Sequence, residues 1–95
     1  MRTYELAYIA DPELDDEQLT ALEQRVKSLI EGADGKLLNV DHWGKRKLAY
    51  QIRKKSEGHY TIMDTELPPQ AGSSIERDLK LNEQIMRYMI TVKDA

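Results

Sequence analysis

Two stretches of helical periodicity, residues 15–32 and 68–81, are each flanked on both sides by strand-patterned segments, and this order leaves few ways to build one core. The first helix is the better marked. Asp15 followed three residues later by Gln18 forms a capping box, and Asp16 and Glu17 suit a first turn with free N–H groups. Leu19, Leu22, Val26 and Leu29 then recur on one helical face, and Gly32 is the expected C-cap. The second helix opens at Pro68-Pro69, where a first turn tolerates proline, and carries a sparse apolar face of Ala71, Ile75 and Leu79.

The flanking segments read as strands. In residues 3–10, Tyr4, Leu6, Tyr8 and Ala10 alternate with Thr3, Glu5, Ala7 and Ile9, so both faces are fairly apolar, as in a central strand. Residues 36–53 form a second strand in which Leu38, Val40, Leu48, Tyr50 and Ile52 share one parity. Leu37 breaks that parity and Gly44 interrupts the run, so a bulge is expected over residues 41–45. Eighteen residues exceed ordinary strand length, so part of this segment should project as a ribbon. Ser56-Glu57-Gly58 is the expected hairpin turn into a third strand, residues 59–67. Residues 82–93 form the last, with Ile85, Tyr88, Ile90 and Val92 as its apolar positions. Strand, helix, strand, strand, helix, strand is the order of two split β-α-β units. These predict an α+β, ferredoxin-like domain: a four-stranded antiparallel sheet with both helices on one face. Right-handed crossovers put the first and third strands in the centre and the second and fourth at the edges. Residues 1–95 suffice for one such domain and not for two.

Charge is distributed unevenly. Residues 1–34 hold nine acids and three bases, residues 36–55 seven bases and one acid, and residues 56–95 seven acids and four bases. An overall charge of −3 therefore hides a block of +6, concentrated in WGKRKLAYQIRKK at residues 43–55. A local field of that size makes a phosphate-facing surface, although an edge strand also uses lysine to resist aggregation. The absence of cysteine excludes disulfides and thiolate metal sites and predicts a reducing, cytoplasmic compartment. The opening MRTYELAYIA carries Glu5 and two tyrosines where a signal peptide needs an unbroken apolar run, and no segment has the length of a membrane span.

Catalytic chemistry finds little material. His42 and His59 lie in strands beside aromatic residues and read as packing or surface groups, Asp15 and Asp16 are needed for capping, and Ser73 and Ser74 lack a nucleophile elbow. The run GADGK has two residues between its glycines where a phosphate loop has four, and it follows a helix. The expectation is a protein that is not an enzyme and uses no cofactor or metal.

In the basic segment, strand alternation places Trp43, Lys45 and Lys47 on one side and Arg46 on the other. A flat aromatic among cations suits backbone phosphates and an exposed base or sugar. The chain resembles a known family at this point, the bacterial small-subunit ribosomal protein numbered six. The resemblance rests on Arg2, Tyr4 and Glu5 in MRTYE, on Trp43, Gly44, Lys45, Arg46, Leu48, Ala49 and Tyr50 in WGKRKLAY, on the aromatic third strand after Gly58, and on Arg87. It spans essentially the whole chain. It implies a ferredoxin-like, non-catalytic component of the small ribosomal subunit that binds the central domain of small-subunit ribosomal RNA as a heterodimer with the subunit protein numbered eighteen. The RNA or partner surface would comprise Arg2, Trp43, Lys45, Arg46, Lys47, Arg53 and Arg87.

Two departures from the family pattern stand out. Gln51 replaces the proline that often follows LAY, which should relax the edge strand. Many members also extend into a charged tail past the position of Ala95, so here the partner should be held by the sheet and its edges. Two other readings predict different behaviour. A free-standing RNA-recognition module needs stacked aromatics on its third strand, where GHYTIMDT offers Tyr60 and then the acids Asp64 and Glu66. A ferredoxin-like sensing or oligomerisation domain would pair through an edge strand without salt-dependent RNA binding.

Overall fold

The computed structural model describes residues 2–93. Six elements follow in the expected order: β1 (Arg2–Ala10), α1 (Asp16–Gly32), β2 (Lys36–Ile52), β3 (Lys55–Leu67), α2 (Ala71–Leu81) and β4 (Ile85–Val92). The sheet is antiparallel with strand order β2-β3-β1-β4, so β2 and β4 sit at the edges and β1 and β3 in the middle. This is the split β-α-β plan.

One sheet face is covered and the other is open. Leu6, Tyr8, Ala10, Met63, Leu67 and Ile85 from the strands pack with Leu22, Val26 and Ile30 of α1 and with Ala71, Ile75 and Leu79 of α2 in a single buried cluster. Thr65 is fully buried on the same face, its hydroxyl donating to the Tyr4 carbonyl at 3.3 Å. The helical stripe is shifted by one residue from expectation. Ile30 is buried, while Leu19 and Leu29 only flank the core.

The capping box at the start of α1 forms as expected, with Gln18 N–H donating to Asp15 at 2.8 Å and Asp15 N–H to the Gln18 side chain at 3.0 Å. Its C-terminus differs from expectation. Gly32 is the last helical residue, Ala33 is the cap, and Asp34 takes the left-handed conformation (φ 64°). Asp34 N–H donates to Glu31 O at 3.1 Å and Gly35 N–H to Ile30 O at 2.9 Å, the two bonds of a Schellman ending. At α2, Gln70 is the N-cap and the two prolines precede the helix without entering it.

The β2–β3 hairpin also turns elsewhere than expected. Ile52 pairs with Lys55, and Arg53 and Lys54 make the turn with φ 52° and 64°. Two consecutive positive φ values match the twist of a hairpin, and the two residues tolerate a conformation normally left to Asn-Gly. Ser56, Glu57 and Gly58 belong to β3. Gly58 is small for a packing reason, since a Cβ there would collide with the Ile9 side chain and crowd the Ala10 carbonyl and Met86.

Tyr8 couples this core to alkaline pH. It is 3% exposed, and burial pushes its phenol up to about 12 from 10.0, against a hydrogen bond with Thr61 that lowers it. A raised folded value means that the neutral phenol's contribution is fully present below the unfolded value of 10.0. It is lost as pH rises through about 12, because the unfolded chain releases its proton first. We expect parent and Tyr8→Phe to diverge in urea unfolding between about pH 8 and about pH 11, with the parent losing on the order of 1 kcal/mol more. Parallel pH profiles for the two proteins would show that the phenol does not carry this dependence.

Candidate nucleic-acid and partner interface

Three register shifts interrupt the pairing of β2 with β3, the last of them between Lys47 and Ile52 in the basic segment. The first two, between Leu37 and Asn39 and between His42 and Gly44, set which side chains face the site. The first turns Leu37 and Val40 toward the core and leaves Leu38 exposed. The second is the expected bulge, with Gly44 at φ 76° in open space, so the glycine serves backbone conformation and not close packing.

The bulge changes which side chains share a face. His42 pairs with Thr61 on the helix side and contacts Glu23 of α1 through its ring nitrogen. Trp43 lies on the open face, stacked on Tyr60 with ring centroids 6.4 Å apart and planes 12° from parallel. Its indole N–H donates to Asp41 at 3.0 Å. Arg46, expected on the side away from Trp43, sits over the indole at 4.8 Å from its centroid and donates through Nε to the Trp43 carbonyl at 3.3 Å. The extra residue at Gly44 is the reason, because it shifts strand parity by one. Lys45 and Lys47 pair with His59 and Glu57 and therefore lie on the opposite face from Arg46, which pairs with Gly58.

Beyond Ala10, the last partner of β3 on β1, the hairpin continues as the expected ribbon. It reaches across to the start of β4. Arg53 donates to the carbonyls of Glu83 at 2.9 Å and Ile85 at 3.3 Å, while Arg87 lies 5.5 Å from the Tyr50 ring centroid and donates to its hydroxyl. Arg53 is thus a brace for the hairpin. Lys55, on the ribbon's outer side, is paired to Glu13 at 2.7 Å and Asp11 at 3.7 Å, and Glu13 holds its ammonium above the usual lysine range.

The open face is a shallow depression of about 330 Å³ walled at one end by this ribbon. Its floor is apolar, formed by Ala7, Ile9 and Ile62 with Trp43, Tyr60 and Met89 around it. Met89 is 58% exposed and Trp43 42%. The ribbon end carries Arg46 and Arg87. At the other end Glu5 lies directly opposite Asp64, and Lys93 reaches Asp64 at 2.8 Å, which relieves the like-charge pair and raises the Lys93 ammonium. Arg2 stands at that far end of β1, opposite Leu67 and about 26 Å along the strand from Ala10.

The seven residues singled out from sequence therefore separate into groups. Trp43, Arg46 and Arg87 share the open face, Lys45 and Lys47 lie on the opposite face, Arg53 is engaged with backbone carbonyls, and Arg2 is remote. Sequence reading missed Tyr60 as the stacking partner of Trp43 and Tyr50 as the partner of Arg87. Tyr60 carried a usable signal, since it alternates with Ile62 on the face that the helices leave open. Among the described residues no group of three or more His, Asp or Glu side chains could hold a metal ion, and no helix is long and apolar enough to cross a membrane.

A ferredoxin-like split β-α-β domain with helices on one face and an open aromatic face beside a braced cationic hairpin is the class these features define. Residues 3–92 match the family described as Ribosomal protein S6, and the chain belongs to that family. Similar proteins are each called small ribosomal subunit protein bS6. That of Desulforamulus reducens is 42% identical over 90 residues, spanning 95% of both chains, and that of Clostridium botulinum 44% identical over 98 aligned positions, spanning 99% of this chain and 100% of its own. The crystal structure of 30S ribosomal protein S6 from Thermotoga maritima superposes with a TM-score of 0.92 at 32% identity, over 97% of this chain and 87% of that one.

Proposed function

We propose that the chain is a non-catalytic structural component of the bacterial small ribosomal subunit, which binds the central domain of small-subunit ribosomal RNA together with the subunit protein numbered eighteen. Its place is then the cytoplasmic ribosome. The observation that carries this reading is the adjacency of two surfaces of different chemistry, an apolar open face and a cationic ribbon. The apolar floor suits a protein partner, and the ribbon suits phosphate. The acidic first turn of α1 lies on the covered side of the sheet, so phosphate is repelled there and the molecule docks one way round.

Only one block of the chain is basic, and within it Lys55 is paired to carboxylates and Arg53 to carbonyls. We therefore expect the isolated protein to bind a central-domain RNA fragment weakly, with tight binding only in the heterodimer. Replacing Lys45, Arg46 and Lys47 together by alanine should leave the fold intact, since all three are exposed. It should weaken heterodimer binding to that fragment and flatten its salt dependence by about one unit of slope for each phosphate no longer neutralised. An unchanged affinity and slope in the triple variant would reduce the basic strand to protection of a sheet edge.

A further inference from the structure

We infer that Met89 is a site of reversible oxidation on the unassembled chain, where a hydroperoxide converts its thioether to the sulfoxide and thereby weakens docking of the protein partner on the open face. This rests on the partner-binding reading above and adds a chemical condition to it.

The methionines among the described residues differ sharply in their surroundings. Met63 is fully buried in the core, and Met86 is 8% exposed with its terminal methyl beside Gly58. Met89 is 58% exposed, and the sheet explains why. It lies on the edge strand β4, so no strand flanks it on its outer side. Its neighbour across the strand pair is Ala7, whose methyl is too short to cover a thioether, and Ala7 is opposed in turn by Ile62 of β3. Ile62, Ala7 and Met89 thus form one row across the open face, and each lines its apolar depression.

No cysteine competes for the oxidant. The sulfur lone pair attacks one oxygen of hydrogen peroxide and the O–O bond breaks. The second oxygen leaves as water, taking up the proton that the first one loses. A sulfur–oxygen bond has formed, and sulfur has given two electrons to the peroxide.

The new oxygen is a strong hydrogen-bond acceptor where the thioether was a weak one. Ala7, Ile9 and Ile62 around it carry no side-chain donor. The nearest polar side chains on this face of β4, Arg87 and Thr91, lie two residues away, about 7 Å along the strand. Arg87 is engaged with the Tyr50 hydroxyl. An apolar partner surface seated on this floor strips water from the sulfoxide and supplies no donor, which should weaken association by roughly ten- to a hundredfold. The docked partner covers Met89, so the reaction belongs to the free chain.

The free chain treated with hydrogen peroxide should gain one oxygen at Met89 well before Met63 and Met86, as read by peptide mass mapping. Met1, outside the described residues, is read separately in the same map. With the peroxide removed, calorimetric titration against the subunit protein numbered eighteen should show the affinity lowered by the factor above. Methionine sulfoxide reductases for both epimers should restore it. Met89→Leu, compared with itself before and after treatment, should show no change. Equal oxidation at positions 63, 86 and 89, an unchanged affinity of the chain carrying Met89 sulfoxide, or a loss that persists in Met89→Leu each overturns the inference and leaves partner docking in place. So does oxidation of Met89 in the preformed heterodimer as fast as in the free chain. Failure of the untreated chain to bind that partner overturns the docking reading, and the inference with it.

Discussion

Truncating Leu79 to alanine is expected to destabilise the domain by ~2–5 kcal/mol, whereas the same truncation at Leu48 should cost about 1 kcal/mol or less. Leu79 is 1% exposed and packs toward the sheet from the α2 stripe, one turn beyond Ile75. Its removal leaves a cavity that two helices and four strands cannot collapse without moving each other. Leu48 shares strand parity with Val40 in the sequence, yet it sits half-buried in the ribbon, in the irregular stretch between the Lys47 and Ile52 pairs, outside the buried cluster. For a domain of this size the whole margin is about 5–15 kcal/mol, so the Leu79 variant should melt at least about 8 °C below the parent. Thermal melts followed by far-UV circular dichroism measure both. Equal destabilisation at the two positions would mean that the ribbon packs as part of the core.

The contrast between these two leucines shows where sequence reading succeeds and where it stops. Element order, sheet order and the buried face of α2 follow from period and chirality, and Ala71, Ile75 and Leu79 are buried as their spacing requires. The parity of β2 was legible only up to its first irregularity. A bulge adds one residue to one strand, so every later side chain changes face, and alternation written through it assigns Arg46 to the wrong side of Trp43. Gly44 marked the bulge in the sequence without showing between which pairs it fell.

The hairpin turn was obscured differently. Ser56-Glu57-Gly58 has turn composition, whereas Arg53-Lys54 does not. What places the turn at Arg53 is tertiary: its guanidinium is satisfied by carbonyls thirty or more residues away in sequence, and Gly58 is needed where β3 passes Ile9. Local propensity is overruled by interactions that exist only after the fold has formed. The same holds for the candidate interface. Composition identified the cations, but only the structure distinguishes those already neutralised, Lys55 and Lys93, from those facing outward.

The two glycines that follow one another closely at the end of α1 should respond to alanine in opposite senses, and the larger effect belongs to the one that sequence reading passed over. Gly32 reads as a C-cap but is helical, without positive φ, and a Cβ there would meet nothing within 4 Å. Alanine at position 32 should therefore stabilise the protein by about 0.5–1 kcal/mol, through helix propensity and a less flexible unfolded chain. At Gly35 the added Cβ would lie 2.5 Å from Leu67 Cδ2, 2.8 Å from the Glu66 carbonyl oxygen and 2.9 Å from the Ile30 carbonyl oxygen. The leucine can rotate at some cost in packing, but the two oxygens are backbone. One accepts the bond that closes the helix ending, and the other belongs to β3 where it pairs with Lys36. Relief requires moving α1, β2 and β3 apart at their common corner, so the cost should reach or exceed the roughly 1–3 kcal/mol typical of overpacking. Because φ at Gly35 is not positive, the destabilisation is steric, and Gly35→Asn, which accommodates left-handed backbone, should not rescue it. Urea unfolding of Gly32→Ala, Gly35→Ala and Gly35→Asn gives the three values directly. A Gly35→Ala midpoint within error of the parent would mean that the corner where helix, edge strand and central strand meet is looser than these distances require.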